Sequence, residues 1–149
     1  MGFHYKIYDQ NKACFVTFTV TDWIDVFTRK NHKMAIVESL KFCQAKKNLV
    51  MYAWCLMPSH LKMVISSDEG KLSDLIRDFK KFTSEKIVEQ IREEPESRRE
   101  WMLKIFQEQG ESHTKKVKYK FWQGSNHPVE LYSNKFIDQK INYIHNNPG

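Results

Sequence analysis

The spacing of hydrophobic positions changes several times along the chain, and each change marks an element. Cys14 to Val20 (CFVTFTV) alternates and is rich in β-branched and aromatic types, the pattern of a strand. After a connector at Asp22–Lys30, Met34, Ile36, Val37, Leu40 and Phe42–Cys43 recur at helical spacing up to Lys47, with Asn31 as the N-cap. Two strand-like runs follow, Leu49–Met57 and His60–Ser66, joined by a short turn at Pro58–Ser59; a hairpin is the natural reading. Beyond Gly70 a long amphipathic helix carries Leu72, Leu75, Ile76, Phe79, Phe82, Ile87 and Ile91 on its apolar side. Pro95 interrupts it, and Glu96–Gln109 forms a further helix that Gly110 ends. Glu111–Lys116 is a loop, Val117–Trp122 a strand and Val129–Tyr132 a short extended piece. Ser133 caps a last helix with Phe136, Ile137, Ile141 and Ile144 inward, which stops before Pro148. The order β-α-β-β-α-(α)-β-α predicts an α+β fold, a ferredoxin-like βαββαβ with an antiparallel sheet, helices packed on it and an extra C-terminal helix.

Length and composition narrow the class without naming a function. The 149 residues suit one domain spanning 1–149, and 41% hydrophobic with 28% charged residues excludes collagen-like, low-complexity and disordered chains. No apolar run reaches the roughly 20 residues of a membrane span. Three cysteines without a CxxC pair argue against a disulfide framework, so a reduced, soluble, cytoplasmic protein is expected. Charge adds more: 24 Lys and Arg against 18 acids give a net +6, as a phosphate-binding surface requires.

Two stretches hold candidate chemistry. In Met57-Pro58-Ser59-His60-Leu61-Lys62, His60 and Lys62 share one face of a strand because side chains alternate. In Tyr143-Ile144-His145-Asn146-Asn147-Pro148, Tyr143 and Asn147 share one face of a helix. On spacing alone the plainer readings hold: a turn-end histidine with an edge lysine, and a packing tyrosine with a helix-ending asparagine.

Taken together, MPSHLKMVI and YIHNNP resemble the single-tyrosine HUH transposases, and among them the REP-associated tyrosine transposases. FVTFTV, the basic LIRDFKKFTS helix and FWQGSNHP extend the likeness over nearly the whole chain. The resemblance implies that Tyr143 is the nucleophile, attacking a DNA phosphodiester and retaining the 5′-phosphate while a 3′-OH is freed. It implies that His60 and Asn147 ligate a Mg²⁺ or Mn²⁺ ion that polarises the scissile phosphate. A phenol with an ordinary pKa near ~10 needs such a cationic site to react at neutral pH. Lys62 departs from the pattern, since it stands where the second His belongs and a charged ammonium has no lone pair for a metal. Either Lys62 grips the phosphate as a point cation in the metal's place, or the site is weakened; the metal affinity is expected to be low. Similar proteins continue past the Asn-Pro, so this chain, ending at Gly149, is expected to lack a C-terminal tail that they carry.

The partner expected is single-stranded or hairpin DNA, with a homodimer as the assembly and no membrane. Arg77, Lys80, Lys81 and Lys86 on the long helix, and Lys116, Lys118 and Lys120 before Trp122, are the candidate DNA contacts, with Arg92, Arg98 and Arg99 further along. The interleaved KKVKYKFW suits a backbone-tracking groove with stacking platforms, Trp122 among them. The rival is a catalytically inactive single-stranded DNA or RNA binder, although the aromatic signature of an RNA-recognition module is missing where HLKMVIS stands.

Overall fold

The computed structural model of the protein describes residues 12–113, 116–126, 128–131 and 133–146. Strands β1 (Ala13–Thr19), β2 (Leu49–Leu56), β3 (His60–Ser67) and β4 (Val129–Leu131) form an antiparallel sheet in the order β2-β3-β1-β4. Helices α1 (Lys30–Lys46), α2 (Leu72–Glu93), α3 (Arg99–Ser112) and α4 (Asn134–His145) complete the fold. The α+β expectation is met. Among the described residues no helix is long and apolar enough to cross a membrane.

Period-two alternation gives the sheet two unlike faces. Cys14, Val16 and Phe18 of β1 and Leu61, Met63 and Ile65 of β3 belong to the main core, which α1, α2 and α3 close. Rings dominate it: Phe18 stacks on Phe79 at 5.6 Å, and Phe106, Phe121, Trp122 and Phe27 form a contiguous group. Each such side chain contributes roughly 1.5–3 kcal/mol by leaving water. The opposite face pairs Phe15 with Val64, Thr17 with Lys62 and Thr19 with His60. A bulge between Met51 and Ala53 switches β2 from one face to the other, so Met51 packs in the main core while Ala53 joins Val64, Leu131 and Ile144 in a second, smaller cluster.

Several local expectations change. Val117–Trp122 is not a strand: Trp122 makes an isolated bridge to Val20, and the segment is held instead by Phe121 and Trp122, both buried. Gly110 does not end its helix but lies inside α3, where an added Cβ would run into the Val117 carbonyl oxygen. That close approach explains the glycine. Asn31 is not the cap of α1, which begins at Lys30; its amide donates to Glu94 at 2.9 Å. Phe82 and Phe136 face solvent, since each helix buries a narrower stripe than its apolar count suggests. Ser133 does cap α4, its Oγ accepting from the Phe136 amide at 3.3 Å.

A buried polar cluster ties α1 to the α2–α3 connection. His32 Nδ1 lies 2.9 Å from Gln90 Oε1, and the fully buried Glu96 carboxylate accepts from Arg98 at 2.9 Å and from Arg29 at 3.4 Å. Burial pushes the Glu96 carboxyl up, but the Arg98 side-chain and backbone hydrogen bonds, with the charges of Arg98 and Arg29, outweigh it and hold the pKa at about 2. Arg98 and Arg99 are accordingly structural: Arg98 also reaches Asp25 at 2.8 Å, and Arg99 donates to the Ile91 and Glu94 carbonyls at 2.7 Å each.

Candidate active site

The site begins at the β2–β3 turn. Met57 N donates to His60 O at 2.7 Å, closing the turn and placing His60 at the first position of β3. His60 Nδ1 lies 3.0 Å from Ser59 Oγ, and its ring meets Trp23 edge to face at 4.8 Å. Two residues on, Lys62 projects from the same face. The helix α4 crosses that face because Ile144 is buried against Ala53, Val64 and Leu131, with Ile137 and Ile141 beside it. Ile144 inward leaves its neighbour Tyr143 half exposed.

Residues 81 apart in sequence thus meet: Lys62 Nζ donates to Tyr143 Oη at 3.1 Å. The lysine also lies 5.1 Å from the Tyr143 ring centroid. Lys140, one helical turn earlier, sits over the Phe15 ring at 4.8 Å and the Tyr143 ring at 5.6 Å, and Phe15 meets Tyr143 edge to face at 5.9 Å. The phenol therefore stands between two ammonium groups, its ring fixed by an aromatic neighbour and its oxygen by a charged donor. Lys140 and Phe15 were absent from the sequence-based site; the i−3 spacing of Lys140 from Tyr143 was the available signal, whereas the Phe15 contact depends on tertiary packing.

The donor set does not by itself make a divalent-ion site. Among the described residues, the sheet face that Tyr143 covers offers the imidazole of His60 and the ammonium groups of Lys62 and Lys140, which repel a metal and cannot ligate it. Among the described residues no group of three or more His, Cys, Asp or Glu is placed to hold one. Asn147, the other expected ligand, lies outside the described residues.

The candidate DNA contacts fall on the other side of the sheet. An open groove of about 970 Å³ runs between α2 and the 117–124 segment, and its walls include Arg77, Lys80, Lys81, Lys118 and Lys120. Lys86 and Lys116 stand outside it. Glu85 and Glu89 share its wall, and Arg77 is engaged at 3.3 Å by both Asp74 and Asp78, so the positive field is interrupted. Lys80 is a tie as well as a charge, since its Nζ donates to the Gln123 carbonyl at 3.0 Å. Burial, helped by the nearby charge of Lys120, lowers its pKa to about 8. Trp122 is 5% exposed and donates through Nε1 to Thr83 Oγ1 at 3.0 Å, so it is a core ring with no face open to a base.

Comparisons with known proteins agree on the architecture. In the structure of a REP-associated tyrosine transposase bound to a REP hairpin, 71% of that chain aligns with 97% of this one at 14% identity and a TM-score of 0.64. A candidate transposase from Deinococcus radiodurans R1 aligns over 98% of its length and all of this chain, at 11% identity and a TM-score of 0.50. No curated protein sequence matches. The family described as IS200-like transposases matches residues 14–109.

Proposed function

The chain belongs to the IS200-like transposase family, and we propose that it cleaves and rejoins single-stranded or hairpin DNA through a covalent bond to Tyr143. The observation that carries this reading is the 3.1 Å hydrogen bond from Lys62 to the Tyr143 hydroxyl on the sheet face that also presents His60. A charged donor on a phenolic oxygen is the arrangement that stabilises negative charge there, which a tyrosine nucleophile needs. In the proposed step the Tyr143 Oη–P bond forms and the P–O3′ bond breaks. The phenol loses its proton and the departing 3′ oxygen takes one up, leaving a 5′-phosphotyrosine and a 3′-OH. The reverse reaction rejoins the strand without an energy source.

Lys62 and Lys140 flank the tyrosine and would hold the anionic phosphate as point charges. Mg²⁺ or Mn²⁺, when bound, would supply Lewis-acid polarisation of the phosphate. His60 and Asn147 are the proposed ligands, and the ammonium of Lys62, two residues from His60 on the same strand face, predicts weak binding. The DNA partner is supported by the hairpin bound to the structural neighbour and by the basic groove along α2. We further propose cytoplasmic action as a homodimer, for which β2, an edge strand among the described residues with Tyr52 and Trp54 partly exposed, offers a side for pairing. Lys62 in place of a second histidine also favours a second reading, a relative that binds DNA and does not cleave it.

One experiment separates the two. A hairpin oligonucleotide labelled at its 3′ end is incubated with the protein, with and without Mn²⁺, and run on a denaturing gel. The cleavage reading predicts a labelled protein adduct that Tyr143→Phe abolishes while keeping its DNA affinity within a few-fold. Binding without any adduct selects the second reading, and an adduct in Tyr143→Phe removes Tyr143 from the chemistry.

A further inference from the structure

The turn Thr21–Trp23 that follows β1 is unlike any other loop among the described residues. Asp22 and Trp23 are consecutive non-glycine residues in the left-handed region, with φ of 55° and 57°. That conformation brings Cβ close to the following carbonyl oxygen and is rarely held without compensation. The compensation is a dense backbone network. Val20 N donates to Ser59 O at 2.9 Å, Thr21 N to Phe121 O at 2.8 Å and Trp23 N to Val20 O at 2.9 Å. Val20, Thr21 and Ile24 are buried around it. The strained turn is therefore built in, and what it presents is a tryptophan, 63% exposed, whose ring is set against that of His60.

Among the described residues, nothing requires that indole to face water. An exposed tryptophan forgoes the burial that its large apolar surface would otherwise gain. Its place gives it a use. Through the Ser59 carbonyl and the His60 ring it is fixed to the tyrosine face. Through Phe121, and through the bridge from Val20 to Trp122, it is fixed to the segment that lines the basic groove.

We propose that Trp23 is a nucleobase-stacking residue, receiving an unpaired base of the DNA strand next to the phosphate that Tyr143 attacks. This rests on the DNA-cleavage reading above and adds a contact that it does not contain. Stacking on an aromatic ring tolerates any base and needs an exposed, rigidly held face. Trp122, which the sequence offered for that role, is buried; Trp23 supplies what it cannot.

The test measures binding of a fluorescent single-stranded oligonucleotide by anisotropy, for the wild type, Trp23→Ala and Trp23→Phe. A set of oligonucleotides, each with one abasic site, is run in parallel. Trp23→Ala should weaken binding about 5- to 100-fold, with Trp23→Phe between it and the wild type and thermal stability no lower in either. One abasic position should weaken wild-type binding and leave Trp23→Ala unaffected, which a merely structural role would not produce. Equal affinity of Trp23→Ala and wild type overturns the proposal and leaves the DNA reading intact. So does a loss that is the same at every abasic position. Loss of self-association in Trp23→Ala, seen by sedimentation with unchanged DNA affinity, would make the ring a contact between copies instead. Failure of the wild type to bind any oligonucleotide would bring down the DNA reading and this inference together.

Discussion

On one side of the sheet Phe18, Met63 and Ile65 disappear beneath α1 and α2, and a group of aromatic rings fills the space toward α3. On the other, Ala53, Val64, Leu131 and Ile144 make a small cluster under α4 with Phe15 beside it, and Thr17, Thr19, His60 and Lys62 lie on the same face. The same three strands supply both faces. Where large apolar side chains interdigitate, the sheet gains its stability. Where small ones seat a single helix beside threonines, an imidazole and two lysines, it gains the surface on which the proposed chemistry would take place. A substitution should therefore be read by the face it touches.

The largest expected stability change lies on the aromatic side. Phe18→Ala should cost about 3–5 kcal/mol, read from urea denaturation, because a ring is lost from a closed core. Tyr143→Phe, half exposed on the other face, should leave the same transition within about 0.5 kcal/mol. Equal losses at the two positions would erase the contrast between the faces.

A smaller effect is expected at the buried acid that braces the aromatic side. Glu96 has a folded-state pKa of about 2 against an ordinary 4.5. Its contribution is thus fully present above pH ~4.5 and is lost as pH falls toward ~2, amounting to roughly 3 kcal/mol. Glu96→Gln should therefore be markedly less stable than the wild type at neutral pH, with the gap closing on acidification. A gap independent of pH would mean that the ion pairs with Arg98 and Arg29 contribute little.

The smallest effect belongs to α4. Ser133→Ala removes the cap hydrogen bond at its start and should cost about 1 kcal/mol. Because α4 carries Tyr143, adduct yield should fall more than global stability does. A parallel fall in both would show that α4 and the main core unfold together.

How much was legible beforehand follows from range. The alternation of Cys14–Val20, the hairpin around Pro58–Ser59 and the helical spacing of Leu72–Ile91 are local patterns, and the strands and helix they predict are found at those places. The Val117–Trp122 segment alternates too, but Phe121 and Trp122 are adjacent and both buried, an arrangement of core packing and not of a ladder. Gly110 reads as a stop, yet its cause is a carbonyl from a distant segment. Within the site, His60, Lys62 and Tyr143 were singled out by their likeness to a family; no periodicity predicts that Lys62 and Tyr143 touch. Lys140, Phe15 and Trp23 are not legible in the sequence, because their places depend on tertiary proximity or on a backbone conformation that no residue type announces.

If Tyr143 forms the covalent bond to DNA, the bond can be located on it. The adduct is digested with nuclease and trypsin, and the peptides are examined by mass spectrometry for a residual nucleotide. Cleavage after Lys140 releases residues 141–149, in which Tyr143 is the one tyrosine. A nucleotide on that peptide, fragmenting to Tyr143, is the result expected. A nucleotide on any other peptide, including the 121–135 peptide that holds Tyr132, would contradict the account.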